Sequence, residues 1–334
     1  MNINDISLNY YSFGFYGGLI SEPSACETIL GIDGLVSLAK KYDLKGIEIP
    51  FDHFYDINQI QDGMTVVNKI LDKNLEVFID LESFNEKYIN SLLPLLSESN
   101  INIIRVKMDQ NHKTIYGGNR YLSSTFKSSV KKFKKKISNL MPSLEKYSVA
   151  LAIENHQDFH SLELVEIADN FNSDLIGITW DVGNSLAVGD TIESFYLNAG
   201  HLIKNVHLKD YKVYKSSKGI RLLRCPLGDG VVDYLKLFKD LEQYNVNMSI
   251  ELGAQITREC NINYQQYWEE FIEIPLDKEN YLEYINYVSL KDDKSQSAYE
   301  DGLTGSKLIK SELKDLEVTV GNFNRIFSEI NNGK

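Results

Sequence analysis

The chain has 334 residues, 43% of them hydrophobic and 25% charged, which is enough apolar material for a large globular core. Its formal net charge of -12 and the lack of a basic face argue against a protein that binds duplex nucleic acid. No apolar run approaches the roughly 20 residues of a membrane helix, Met1 to Tyr10 lacks the regions of a signal peptide, and Cys26, Cys225 and Cys260 are scattered without a CxxC pair, so a cytoplasmic protein with reduced thiols is expected.

Short apolar runs alternate with helix-period segments as far as residue 275. Strands are expected near Leu8–Phe15, Gly46–Pro50, Leu75–Leu81, Ile101–Lys107, Val149–Glu154, Ile176–Asp181, Asn205–Lys209 and Met248–Leu252. Between the first two, Ser24 to Tyr42 carries Ile29, Ile32, Leu35 and Leu38 at three-residue spacing, the apolar face of a helix. Between the fourth and fifth, Phe126, Val130, Phe133, Ile137 and Leu140 form a second stripe. Lys131, Lys132, Lys134, Lys135 and Lys136 fall largely off that stripe, which reads as a solvated helix face in preference to a nucleic-acid patch. Most of the strand runs are apolar on both faces, the pattern of a parallel sheet covered by helices. Eight of them predict an α/β fold, a closed (β/α)8 TIM barrel, over residues 1–275. Residues 276–334 read differently. Asp277 to Val288 and Gln296 to Ile330 are helical in pattern, with polar Lys291–Ser295 between them and no clear strand: a C-terminal helical extension packed on the barrel or on another subunit.

Four strand ends carry chemistry: Ile153-Glu154-Asn155-His156, Trp180-Asp181-Val182-Gly183-Asn184, Val206-His207-Leu208-Lys209-Asp210 and Ile250-Glu251-Leu252-Gly253. Each is an apolar run ending in a metal-competent side chain, and in a barrel these ends ring one mouth. Taken singly, such a carboxylate is a helix cap or salt-bridge partner and such a histidine a satisfied polar group. Four consecutive strands ending this way favour one divalent ion on Glu154, Asp181, His207 and Glu251. Three carboxylates and one imidazole suit Mn²⁺ first, with Mg²⁺, Co²⁺ or Zn²⁺ also admissible. A buried ring of three carboxylates without a cation would repel itself.

These motifs resemble those of the xylose isomerase-like barrel superfamily, in particular its sugar phosphate isomerase/epimerase branch. The resemblance covers about residues 8 to 275 and is most specific from Val149 to Gly253. It implies that Glu154, Asp181, His207 and Glu251 bind the metal and that Glu154 and Glu251 act as an acid/base pair on the two faces of the substrate. The departures are specific. Endonuclease IV members place a His where Asn184 stands and an Asp-x-His in the loop that here reads Gly228-Asp229-Gly230-Val231, so their extra metal ligands are missing. Ketose 3-epimerase members also favour a His at Asn184, and an Arg at the position of Val213; Arg221 or Arg224 would supply a cation from the same loop.

Other candidates surround these. His156, two residues beyond Glu154, is a substrate donor or general base if the strand continues, or a supporting residue behind the ligands. Lys209 neutralises an enolate oxygen or a phosphate, or forms a salt bridge to Glu251 or Asp181. Asn184 contacts ligand or backbone at the mouth. Phe15, within the aromatic and glycine stretch Phe13 to Gly18, fits a sugar-stacking wall or an ordinary turn, and Gly228 and Gly230 fit a turn. The leading expectation is a divalent-metal-dependent sugar isomerase or epimerase that abstracts a proton next to a carbonyl through an enediolate. A first alternative is a metal-dependent lyase on oxidised sugars, since the chain also resembles inosose dehydratases and the catalytic subunits of C-glycoside deglycosidases; the latter would bring a small second subunit. A second is a non-catalytic sugar-binding barrel, against which four intact ligands argue. The expected partner is a small-molecule sugar or sugar derivative, with no nucleic acid and no membrane, and an oligomer is expected.

Overall fold

The computed structural model describes residues 1–20, 29–109, 115–244, 246–271, 273–291 and 294–333. Eight parallel strands close into a barrel: β1 (Ser7–Asn9), β2 (Gly46–Pro50), β3 (Glu76–Asp80), β4 (Ile103–Val106), β5 (Ala150–Glu154), β6 (Ile176–Asp181), β7 (Ile203–Leu208) and, after the hairpin β8 (Tyr211–Lys215) and β9 (Ile220–Arg224), β10 (Asn247–Ile250), which pairs with both β7 and β1. β2, β5 and β6 are buried along their whole length, which is why their sequences are apolar on both faces. Helices cover them, among them Gly31–Lys41, which buries Ile32 and Leu35, and Phe126–Tyr147, which buries Phe126, Phe133, Ile137 and Leu140; Ile29, expected on the first stripe, precedes its helix and is exposed, and the start of that expected helix, 24–28, lies outside the described residues. Lys134 pairs with Glu166 and Lys136 with Asp109, at 2.7 and 2.9 Å, so this lysine-rich face carries its own counter-ions.

The first strand is shorter than its sequence suggests. The Asn9 side chain accepts the Tyr11 N–H at 2.8 Å and the chain turns into a 3-10 turn at Tyr10–Ser12, so the aromatic run after Asn9 leaves the sheet. Residues 211–224, expected as the loop after the seventh strand, form the β8–β9 hairpin, and β11 (Arg258–Cys260) adds a third antiparallel strand. This small sheet, the helix Lys278–Val288 and the segment around Leu186 share a second apolar core, with Val213, Leu222, Cys260, Tyr267, Tyr281 and Ile285, distinct from the barrel core. Leu290 joins the sheet through a single bridge to Tyr214. The last helix, Ser306–Asn332, returns to the barrel, where Leu316, Val320, Phe323, Phe327 and Ile330 enter the main core. Among the described residues no helix is long and apolar enough to cross a membrane. Cys225 and Cys260 are buried free thiols, and Cys26 lies outside the described residues.

Candidate functional site

The strand ends bring the four expected ligands to one mouth of the barrel. Glu154 ends β5, Asp181 ends β6, His207 lies one residue from the end of β7 and Glu251 directly follows β10. Register fixes their neighbours: Asp181 pairs across from His207, and His207 across from Ser249. All four side chains are buried, and one ligand atom from each lies within 4.8 Å of the others. Glu154 Oε1, Asp181 Oδ1, His207 Nδ1 and Glu251 Oε2 are buried without a hydrogen-bond partner. His207 Nδ1 stands 2.7 Å from Glu251 Oε2 and 3.6 Å from Glu154 Oε1.

The other atom of each group is occupied. Glu154 Oε2 pairs with Arg105. Asp181 Oδ2 pairs with Lys209 and accepts the Asn184 amide at 2.5 Å. Glu251 Oε1 meets Lys209 Nζ at 2.6 Å. His207 Nε2 lies 3.0 Å from Glu48 Oε1, which also accepts the Asn205 amide at 2.7 Å. An imidazole whose Nε2–H goes to Glu48 presents its Nδ1 lone pair to the three bare oxygens. Three oxygens and one nitrogen, buried and facing one another, are a donor set that fits a divalent cation of the Mn²⁺, Mg²⁺, Co²⁺ or Zn²⁺ type.

Electrostatics agree with that division. Burial works against the charge of Glu154 and Glu251, yet Arg105 and His207 hold Glu154 below the ordinary carboxylate range, and Lys209 and His207 do the same for Glu251. Asp181 is pushed up to about 7 by burial, against the pull of Lys209. Burial disfavours charge on His207, but Glu48 and Glu251 outweigh it and raise the ring well above its usual value. A cation entering the cluster therefore competes with a proton for Nδ1.

Above the cluster lies a cavity of about 200 Å³. Glu251, His156, Asn184 and Lys209 line it, as expected from sequence. Lys209 takes the salt-bridge role, tied to both Asp181 and Glu251. Asn184 Oδ1 accepts from Gln157 at 2.9 Å and from the Tyr211 hydroxyl at 3.2 Å. The remaining three expected substrate residues are not brought to this cavity. Phe15 is buried with its ring 4.9 Å from that of Tyr299, and Gly14, Leu19 and Ile20 form the wall instead. Arg221 donates to the Ser295 carbonyl at 2.9 Å, and Arg224 donates to the Gly253 carbonyl at 2.7 Å and pairs with Asp315. Gly228 and Gly230 are a turn, with both N–H groups donating to Asp210 Oδ2 at 3.0 Å.

Several site residues go unread in the sequence: Arg105 and Lys107 at the end of β4, Glu48 and Asp80 inside the barrel, and Tyr116 and Arg258 in the cavity wall. A wider surface cleft lined by Asn2, Lys73 and Asn331 is remote from all of them.

The model of the xylose isomerase-like TIM barrel family matches residues 36–273. Over 117 residues the chain is 26% identical to the 3-oxo-isoapionate decarboxylase of Pectobacterium atrosepticum, a stretch that is 34% of this chain and 42% of that protein, less than half the relative's length. Among solved structures, a D-tagatose 3-epimerase-like protein superposes with a TM-score of 0.51 at 16% identity, covering 84% of this chain and 98% of that one. The probable 3-DHS dehydratase of Bacillus anthracis gives 0.51 at 16%, covering 82% and 100%. The 3-keto-D-glucoside 4-epimerase of E. coli gives 0.51 at 14%, covering 85% and 99%. These structural likenesses establish the fold.

Proposed function

The chain belongs to the xylose isomerase-like TIM barrel family, and from that premise we infer that it is a divalent-metal-dependent isomerase or epimerase of a sugar or sugar derivative, one that removes a proton from the carbon beside a carbonyl and returns it to another face or carbon. The observation that carries this reading is the group of four buried ligand atoms, three oxygens and His207 Nδ1, left without hydrogen bonds under a polar cavity. Glu154, Asp181, His207 and Glu251 would hold the ion, which would polarise a carbonyl and offset negative charge on oxygen.

The chain's own groups divide the remaining work. Of the four ligands, Glu251 lines the cavity. Lys209 and His207 keep it ionised despite its burial, the state a base needs, while the same charges weaken its hold on a proton, and the Lys209 contact at Oε1 fixes how Oε2 is presented. Return of the proton falls to Glu154 or to His156. Glu154 is fully buried with Oε2 on Arg105, whereas His156 stands in the cavity wall, which favours His156.

A lyase reading uses the same site. It is supported by the names of the relative matched over 117 residues, a decarboxylase of an oxo acid, and of one structural neighbour, a dehydratase. In a lyase the carbanion expels a neighbouring group, or a carboxylate leaves as CO₂ in place of the proton. Product analysis separates the readings, an isomer of the starting sugar from an isomerase and loss of water or CO₂ from a lyase, and solvent exchange tests the proton abstraction. In deuterated water the metal-loaded protein should wash deuterium into the carbon beside the carbonyl of a sugar it turns over, and Glu251→Gln should abolish the exchange while binding persists. A turnover rate unchanged by deuterium at that carbon, measured where chemistry limits, would contradict proton abstraction.

A further inference from the structure

Four cations line the cavity over the ligand cluster: Arg105, Lys107, Lys209 and Arg258. Two are committed, Arg105 to Glu154 and Lys209 to Asp181 and Glu251. Lys107 and Arg258 have no ion-pair partner among the described residues. The acids of the wall form no ion pair with them: Glu82 attracts Lys107 from a distance but takes the Tyr11 hydroxyl at 3.3 Å and lies 3.7 Å from His53, and Glu251 is held by Lys209. The Arg258 guanidinium carbon sits 3.7 Å over the Tyr116 ring, a stacking that fixes its plane and leaves its N–H edges for an acceptor. Burial, and then the neighbouring Arg105, push the Lys107 ammonium below its ordinary value. A half-buried cation without a counter-ion costs stability, and here two enter one cavity, Lys107 from the barrel just after β4 and Arg258 from β11 of the small antiparallel sheet, the cap of the barrel.

The uncharged groups point the same way. A site built for a neutral sugar would offer free amides and hydroxyls to its hydroxyl groups. In this wall the Gln157 amide donates to Asn184 and to the Tyr211 hydroxyl, at 2.9 and 3.2 Å, and Gln157 Oε1 accepts the Gly117 N–H at 2.9 Å. The amides are spent on each other and the two cations are not. The volume, about 200 Å³, lies below the roughly 300–1,000 Å³ usual for drug-sized ligands, which suits a single sugar unit.

We propose that the substrate is a small keto sugar bearing an oxyanionic group, a carboxylate or a phosphate, held between Lys107 and Arg258 with its carbonyl end toward Glu251. This rests on reading the cavity as the sugar site of a metal centre. The test is calorimetric titration of the full-length, Mn²⁺-loaded protein with 2-keto-D-gluconate, D-fructose 6-phosphate and D-fructose. At least one anionic ketose should bind on the order of tenfold to a hundredfold more tightly than D-fructose, the range of a charged hydrogen bond. Which of the two prevails identifies the anion as carboxylate or phosphate. Lys107→Met and Arg258→Gln should each remove most of the preference with metal content unchanged. Equal binding of D-fructose, no binding of either anion, or a preference that survives in both variants would overturn the proposal. Metal content measured on the same samples separates the two layers. A full complement without anion preference sinks this inference alone, whereas a preference that depends on Lys107 and Arg258 in a protein that takes up no metal leaves it standing and removes the metal reading.

Discussion

Glu154, Asp181 and Glu251 each give one oxygen to a cation of the chain and keep the other bare, and that division depends on residues behind them. Arg105 and Lys209 neutralise the outer oxygens, which lowers the repulsion among three carboxylates and fixes the direction of the inner ones. Glu48 does the corresponding service for His207 from below. Burial would raise its carboxyl, but His207 outweighs burial and brings it down to about 2, while burial and the charge of Glu48 push Asp80 well above the ordinary range. Glu48 thus stays available as the acceptor of the His207 Nε2–H. Glu48→Gln keeps an acceptor oxygen but loses the charge. Mn²⁺ titrated into the metal-free variant should bind about 10–100-fold more weakly than into the wild type, the usual cost of removing a partner behind a ligand. Glu82→Gln, in the cavity wall, is the control and should leave metal affinity in place. An unchanged affinity in Glu48→Gln would show that the His207 orientation is set elsewhere.

The helix Ser306–Asn332 comes after β11 and the helix Lys278–Val288 in the chain and packs back onto the barrel core. Phe323 packs 5.0 Å from the ring of Tyr234 and 5.2 Å from that of Phe238, and Phe327 packs 4.8 Å from Phe238, all on the helix Tyr234–Leu241 side. The same helix reaches the mouth. Glu312 accepts the N–H groups of Phe15 and Tyr16 at 2.9 Å, and Thr319 accepts the Leu227 N–H at 3.0 Å. We propose that this segment is a structural part of the barrel, so that Phe323→Ala should lower unfolding stability by about 3–5 kcal/mol, as for other buried aromatics. Chemical denaturation showing a loss below about 1 kcal/mol, within the range of surface substitutions, would mark the helix as peripheral. Much of this layer was legible. Gly46–Pro50 and Ile176–Asp181 are largely apolar and bounded by turns, so their limits coincide with the observed strands. The hairpin carries a readable signal too, since Val213, Ile220 and Leu222 alternate with polar residues across Ser216–Gly219, but it lies where a barrel normally has a loop. The four clustered residues were legible because each stands where an apolar strand ends. Glu48, Asp80 and Arg105 were not, since a lone charge within or at the edge of an apolar run reads as a salt bridge until the closed barrel shows it facing inward. Lys107 and Arg258 share a cavity through the meeting of barrel and cap, which no local pattern encodes.

Taken together, barrel and cap have separate apolar cores, and the polar cavity lies where they meet. The barrel supplies the ligand cluster and Lys107, and the cap supplies Tyr211 and Arg258 above it. Against a net charge of -12, the two cations inside the cavity stand out from their surroundings. Everything chemical in this account passes through the cluster of Glu154, Asp181, His207 and Glu251. Its most direct test is elemental analysis of the purified full-length chain after exposure to Mn²⁺, Mg²⁺, Co²⁺ and Zn²⁺. About one tightly held divalent ion per chain is predicted for the wild type, with Glu154→Gln and His207→Ala folded but largely depleted. A wild type that retains none of the four ions, or a full complement in both variants, would contradict the metal centre and the function built on it.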